Sequence, residues 1–112
     1  MKRWIGWLAA GFAGAALAHA RLQTSTPTDG SVLQQPPATF SLTFDEPATL
    51  TLLTLQKDGD APQKLSVPSS KPSAQLSIPA PKLSAGSYSL KYKALSDDNH
   101  VVSGGIHFRV AP

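Results

Sequence analysis

Ser87-Tyr88-Ser89-Leu90-Lys91-Tyr92-Lys93-Ala94 alternates apolar and hydrophilic residues at every step. A period of two is that of a β-strand with one face buried, because successive side chains of an extended chain point to opposite faces. Downstream, Ile106, Phe108 and Val110 alternate with His107 and Arg109. Upstream, Phe40, Leu42 and Phe44 alternate with Thr39, Ser41 and Thr43, and a denser run over residues 49–56 sets Leu50, Leu52, Leu53 and Leu55 among threonines. Lys57-Asp58-Gly59-Asp60 then supplies hairpin-turn chemistry. Leu65 with Val67 and Leu76 with Ile78 predict two brief strands. Pro62, Pro68, Pro72, Pro79 and Pro81 bound them, and a residue without a backbone donor belongs at a sheet edge or in a loop. With a first strand over residues 21–25, seven short strands are predicted, the pattern of an immunoglobulin-like β-sandwich. Beyond residue 18 no window carries the i, i+3, i+4 spacing of a helix. Leu83-Ser84-Ala85-Gly86-Ser87-Tyr88 has the form of a tyrosine corner, in which a Tyr hydroxyl ties a loop to the following strand.

The first eighteen residues read differently. Lys2 and Arg3 form a short cationic start, residues 4–18 are uncharged and mostly apolar, and Ala16-Leu17-Ala18 is a small-x-small cleavage site, so residues 1–18 are expected to be a secretory signal and residues 19–112 the single mature domain. Ala18-His19-Ala20 also fits the cleavage rule, which leaves a cut after Ala20 as the alternative. The apolar run is too short to cross a bilayer, where roughly 20 residues are needed, and no later segment is apolar enough, so the mature domain is expected to be soluble. Its removal takes Lys2 and Arg3 with it, two of the three excess positive charges of the full chain. What remains has no basic stripe interleaved with aromatics, and nucleic acid is not an expected partner.

The 112 residues contain no cysteine, and the one methionine is Met1. Disulfides, zinc ribbons, iron–sulfur clusters and thiol nucleophiles are thereby excluded. No Gly-x-Ser-x-Gly elbow is present to support a nucleophile triad. The chemistry falls to three histidines, His19, His100 and His107. A cut after Ala18 makes His19 the first residue, so its α-amine and imidazole Nδ1 can close a six-membered chelate ring on a metal. Unperturbed, these nitrogens lose their protons near pKa values of about 7.7–8 and about 6.5, so both are accessible as ligands near neutrality. Ser96-Asp97-Asp98-Asn99-His100 is a polar loop between the last two strands, and in an extended chain Asp98 and His100 point the same way, offering an oxygen and a nitrogen to one ion. Two nitrogens in a plane, completed by imidazole and carboxylate, suit tetragonal Cu(II). A first strand that starts beside a loop between late strands would bring His19 to His100. His107 alternates with Ile106 and Phe108 and is expected to face solvent with no role. Phe40, Phe44, Tyr88, Tyr92 and Phe108 occupy periodic apolar positions and are expected in the core.

The motifs His19-Ala20-Arg21-Leu22, Ser25-Thr26-Pro27 with Gly30, Leu42-Thr43-Phe44-Asp45-Glu46-Pro47, Leu83-x-x-Gly86-x-Tyr88 and Ser96-x-Asp98-x-His100-x-x-Ser103-Gly104 with Phe108-x-Val110 resemble the CopC-type periplasmic copper-resistance proteins. The resemblance spans nearly all of residues 19–112. It implies a Greek-key β-sandwich in the periplasm that binds one Cu(II) per chain through the His19 amine and imidazole, His100, and Asp98 as a carboxylate close to the metal. It also places Glu46 near the site, with Asp45 as the alternative. Some members carry a Met-rich loop for Cu(I), which thioethers select. Residues 19–112 have neither Met nor Cys, so no Cu(I) thioether site is expected. The resemblance implies a binding protein, not an enzyme, whose partner is an inner-membrane copper transporter or another periplasmic copper protein; a monomer is expected. The alternative is a small copper-dependent oxidase, because lytic polysaccharide monooxygenases use the same N-terminal histidine chelate on a similar sandwich. Small size, aromatics committed to the core and a carboxylate at the position oxygen would need open argue against it.

Overall fold

A computed structural model describes residues 20–67 and 71–112 of the chain; the expected signal segment and His19 lie outside the described residues. The described residues form seven strands and no helix: β1 (Leu22–Thr26), β2 (Ser31–Leu33), β3 (Thr39–Lys57), β4 (Gln63–Lys64), β5 (Ser73–Pro79), β6 (Gly86–Ser96) and β7 (Val101–Val110). Strand β3 organises them. Its first half pairs antiparallel with β1 and β5, and its second half pairs antiparallel with β6 and β4. Antiparallel β7 extends β6, and β2 adds parallel to β7. One strand thus belongs to both layers of the β-sandwich, and the strand order runs β1-β3-β6-β7-β2 through it.

The sequence suggested a break at Asp45-Glu46-Pro47, but the strand runs on through it. Pro47 cannot donate to a ladder, and it sits where β3 leaves one layer for the other, so the missing donor falls at the crossover. Immediately after it, Ala48 pairs with Ser73 on β5 and Ser96 on β6, joining the layers. A register shift between Leu50 and Leu52 explains the denser leucine pattern: one extra residue lets Leu50 and Leu53 both point inward, while Leu52 pairs with Lys93.

Phe40, Leu42 and Phe44 face the inward residues of β6 and β7. Phe44 meets Tyr92 edge-on at 5.5 Å between ring centroids, Phe40 lies 5.9 Å from Phe108, and Tyr88 stacks on Phe108 at 5.3 Å. All five aromatics are buried, as the period of two predicted. Gly104 pairs with Tyr92, and a Cβ there would stand 2.6 Å from the Tyr92 hydroxyl, so the ring occupies the space a side chain would need.

The tyrosine corner is present. The Tyr88 hydroxyl donates to the Ser84 carbonyl at 2.6 Å, fixing the loop that enters β6. Tyr88→Phe removes that bond while leaving the ring stack intact, and is expected to cost about 1 kcal/mol of unfolding free energy. Urea denaturation checks this; an unchanged midpoint would show that the hydroxyl does not hold the corner.

Two expectations are adjusted, and one strand was not foreseen. Residues 65–67 carry no strand, and the pairing there falls to Gln63 and Lys64, opposite Leu55 and Thr54. The last strand begins at Val101, five residues before its apolar pattern becomes visible. Strand β2, only three residues long, shows no period to read; it is fixed by Gly30 N–H donating to His107 O and Ala111 N–H to Leu33 O.

Candidate metal centre

The loop joining β6 to β7 is a tight turn. The Asn99 N–H donates to the Ser96 carbonyl, the Ser96 N–H to the His100 carbonyl, and Asn99 takes a left-handed φ of 67°. Asn tolerates that conformation better than most residues with a Cβ, which accounts for Asn at this step. Asp98 and His100 therefore do not sit on an extended chain as their spacing suggested. The turn nevertheless brings them together: His100 Nδ1 lies 3.0 Å from Asp98 Oδ2. Ser96, buried at the end of β6, closes the unit, its hydroxyl bonding the other Asp98 oxygen and also reaching the His100 carbonyl. Its position two residues before Asp98 was the only trace of this in the sequence.

The hydroxyl and imidazole contacts on this carboxyl group have an electrostatic consequence. The Ser96 hydroxyl is the largest influence and His100 adds to it, while partial desolvation opposes them; together they lower the Asp98 pKa to about 2. Because the folded-state value lies below the ordinary carboxylate value, the stabilisation this group gives the turn is complete above about pH 4 and is lost as pH falls through 2. A 13C titration of the Asp98 carboxyl in the metal-free protein should show a midpoint near 2. A midpoint near 3.9, the free-residue value, would mean that the Ser96 and His100 contacts are not made.

The same end of the sandwich receives the beginning of the described chain. Ala20 is buried in the core, and Arg21 is held from both sides by Asp45: its N–H donates to Asp45 Oδ1 at 2.7 Å, and its carbonyl accepts the Asp45 N–H at 2.9 Å. Asp45 and Glu46 lie at the β3 crossover, and Ala48 just beyond pairs with Ser96 at the base of the turn. Asp45 is thus engaged in fixing the chain start, a task the sequence did not disclose. Glu46, its neighbour, is half-buried at the crossover.

Of the four residues expected at the site, Asp98 and His100 are in contact, Glu46 is at the same end of the fold, and His19 lies outside the described residues, joined to Ala20. Among the described residues no three His, Cys, Asp or Glu side chains converge as metal ligands. His107 faces solvent on β7, as expected, with Asp29 capping its N–H at 2.8 Å and standing 3.6 Å from its Nδ1. No helix among the described residues is long and apolar enough to cross a membrane.

The fold is thus a small β-sandwich with an imidazole–carboxylate pair at one end, beside a fixed chain start. Residues 22–111 match the CopC domain family, and the chain belongs to that family. It is 33% identical over 105 aligned residues to copper resistance protein C of Xanthomonas campestris pv. juglandis, a match covering 85% of this chain and 82% of that protein. Its fold is similar to the crystal structure of CopC from Methylosinus trichosporium OB3b, with a TM-score of 0.72 and 25% identity, over 84% of this chain and 95% of that one. It is also similar to PcoC, a methionine-rich copper resistance protein from Escherichia coli, with a TM-score of 0.61 and 29% identity, over 84% of this chain and all of that one. The family consists of copper-binding resistance proteins, not enzymes, and the role of this chain is of that class.

Proposed function

We propose that the chain is a periplasmic Cu(II)-binding protein that begins, after removal of residues 1–18, at His19, and holds one copper ion through the His19 amine and imidazole, His100 and Asp98, with Glu46 close by. The observation that carries this reading is the Asp98–His100 pair. Two donors bound side by side on one ion at roughly 2.1 Å each stand about 3.0 Å apart. Asp98 Oδ2 and His100 Nδ1 already have that separation, at 3.0 Å, and Ser96 holds the carboxylate in place. The Arg21–Asp45 bonds support the same reading, because they fix the chain two residues from the proposed amine ligand and at the end of the sandwich where the turn stands. Imidazoles, amine and carboxylate form the hard-to-borderline donor set that Cu(II) accepts in a tetragonal arrangement. The absence of methionine and cysteine from residues 19–112 removes the soft ligands that Cu(I) selects, in contrast to the methionine-rich PcoC.

On this reading the protein acts as a monomer that sequesters Cu(II) or passes it to a separate polypeptide, an inner-membrane copper transporter or another periplasmic copper protein. Intact-mass spectrometry of the exported protein tests it directly. A mass starting at His19 that rises by one copper on addition of Cu(II) is expected. A mass starting at Arg21, or no copper adduct at neutral pH, would defeat the proposal.

A further inference from the structure

The face of the β3–β6–β7 layer that points away from the core carries a feature the copper site does not use. Leu52, Lys93 and Ser103 lie in one cross-strand row, and Thr54, Lys91 and Gly105 in the next. They line an open groove of about 490 Å³, with His107 at one end. Lys91 and Lys93 are two residues apart on β6, so both ammonium groups stand on the same face about 7 Å apart. Neither has an ion-pair partner among the described residues, and no carboxylate lines the groove. The floor is bare because residue 105 is glycine. Packing does not require this: a Cβ at 105 would meet only ordinary contacts, 3.5 Å from Leu90 O and 3.5 Å from Lys91 Cγ. Gly104 beside it, by contrast, is needed to admit the Tyr92 ring.

We propose that this groove docks an acidic, extended polypeptide segment of a partner protein, with two carboxylates meeting Lys91 and Lys93 and an apolar side chain lying over Gly105. Charge selects the occupant. Two uncompensated ammonium groups around a partly apolar floor attract a segment carrying carboxylates and repel a basic one. Asp29 stands 3.6 Å from His107 Nδ1 at one end of the groove, and Asp97 and Asp98 lie in the turn beyond Lys93 at the other, so the attraction for carboxylates is confined to the two lysines between them. Lys93 is three residues along β6 from Ser96, roughly 10 Å at 3.3–3.4 Å per residue, so a docked segment lies beside the turn without covering it. The groove is defined by described residues alone and does not depend on the copper reading.

The test uses 15N-labelled protein and a ten-residue peptide of alternating Glu and Val at low salt. Amide shifts are expected to concentrate at Leu52, Thr54, Lys91, Lys93 and Gly105, and raising the salt from about 20 to about 200 mM should weaken binding severalfold. Lys91→Gln with Lys93→Gln should reduce affinity about tenfold or more. Gly105→Val, which fills the floor and suits a strand, should block binding while leaving the rest of the amide spectrum in place. No binding overturns the proposal. So do shifts that map to Lys57, Lys64 or Lys82, equal binding by the variants, equal binding of a Lys/Val peptide, and displacement of the peptide by anionic lipid vesicles, which would assign the face to a membrane surface.

Discussion

His100→Ala is expected to lower the affinity for Cu(II) by on the order of 100-fold or more, since changing even a residue that only supports a metal ligand costs 10–100-fold and this change removes a proposed ligand outright. The variant also deprives Asp98 of the imidazole at 3.0 Å, so the carboxylate loses part of its fixed position. The fold itself should survive, because the His100 side chain is 62% exposed and the turn is closed by backbone bonds and by the Ser96 hydroxyl, none of which needs the imidazole. Competition titration against a chelator of known affinity gives the loss, and the amide spectrum reports the fold. Unchanged affinity in a folded variant would remove His100 from the site.

The second large effect comes from a change that deletes nothing. One extra residue placed before His19 in the exported protein turns the α-amine of His19 into an amide nitrogen, which no longer offers a lone pair at neutral pH, and the chelate ring with Nδ1 is lost. A fall in affinity close to that of His100→Ala is expected, with a changed electron paramagnetic resonance spectrum of bound Cu(II), because one equatorial nitrogen has been replaced. The Arg21–Asp45 bonds sit downstream of the insertion and should be untouched, so the loss would report the amine and not a displaced strand. A protein with the extra residue that binds copper with the original affinity and spectrum would exclude the amine as a ligand.

Most of the architecture could be read from the chain because burial on one face of a strand imposes an alternation that survives in the sequence. Phe40, Leu42 and Phe44, Tyr88, Leu90 and Tyr92, and Ile106, Phe108 and Val110 each follow it, and every one of them is buried. The elements that were not legible are those whose buried contribution is too short to show a period, with only Leu33 and Val102 packed against the core. Strand β2 has three residues and a parallel partner, and residues 101–105 expose Val101 and include two glycines, so neither presents an apolar rhythm. The continuity of β3 was hidden by Pro47, whose meaning depends on a crossover between layers that no local pattern announces.

At the site, the residue types of Asp98 and His100 were legible while the geometry that joins them was not. Their meeting depends on a turn with Asn99 in the left-handed region, whereas the spacing argument assumed an extended chain. The tasks of Ser96 and Asp45 were hidden for a related reason. Each acts on a partner's position, Ser96 on a carboxylate and Asp45 on the backbone of Arg21, and neither residue type in isolation marks such a task.

Because β3 is hydrogen-bonded into both layers, neither can peel away alone. Detaching β6 from it frees Ala48–Lys57 on one side, and detaching β1 and β5 frees Thr39–Phe44 on the other, yet both stretches are a single length of backbone. Thermal or chemical melting should therefore proceed in one all-or-none step, with no half-opened species. The end proposed to bind copper inherits that rigidity, since the turn, the crossover and the chain start are all fastened to the same unbroken strand.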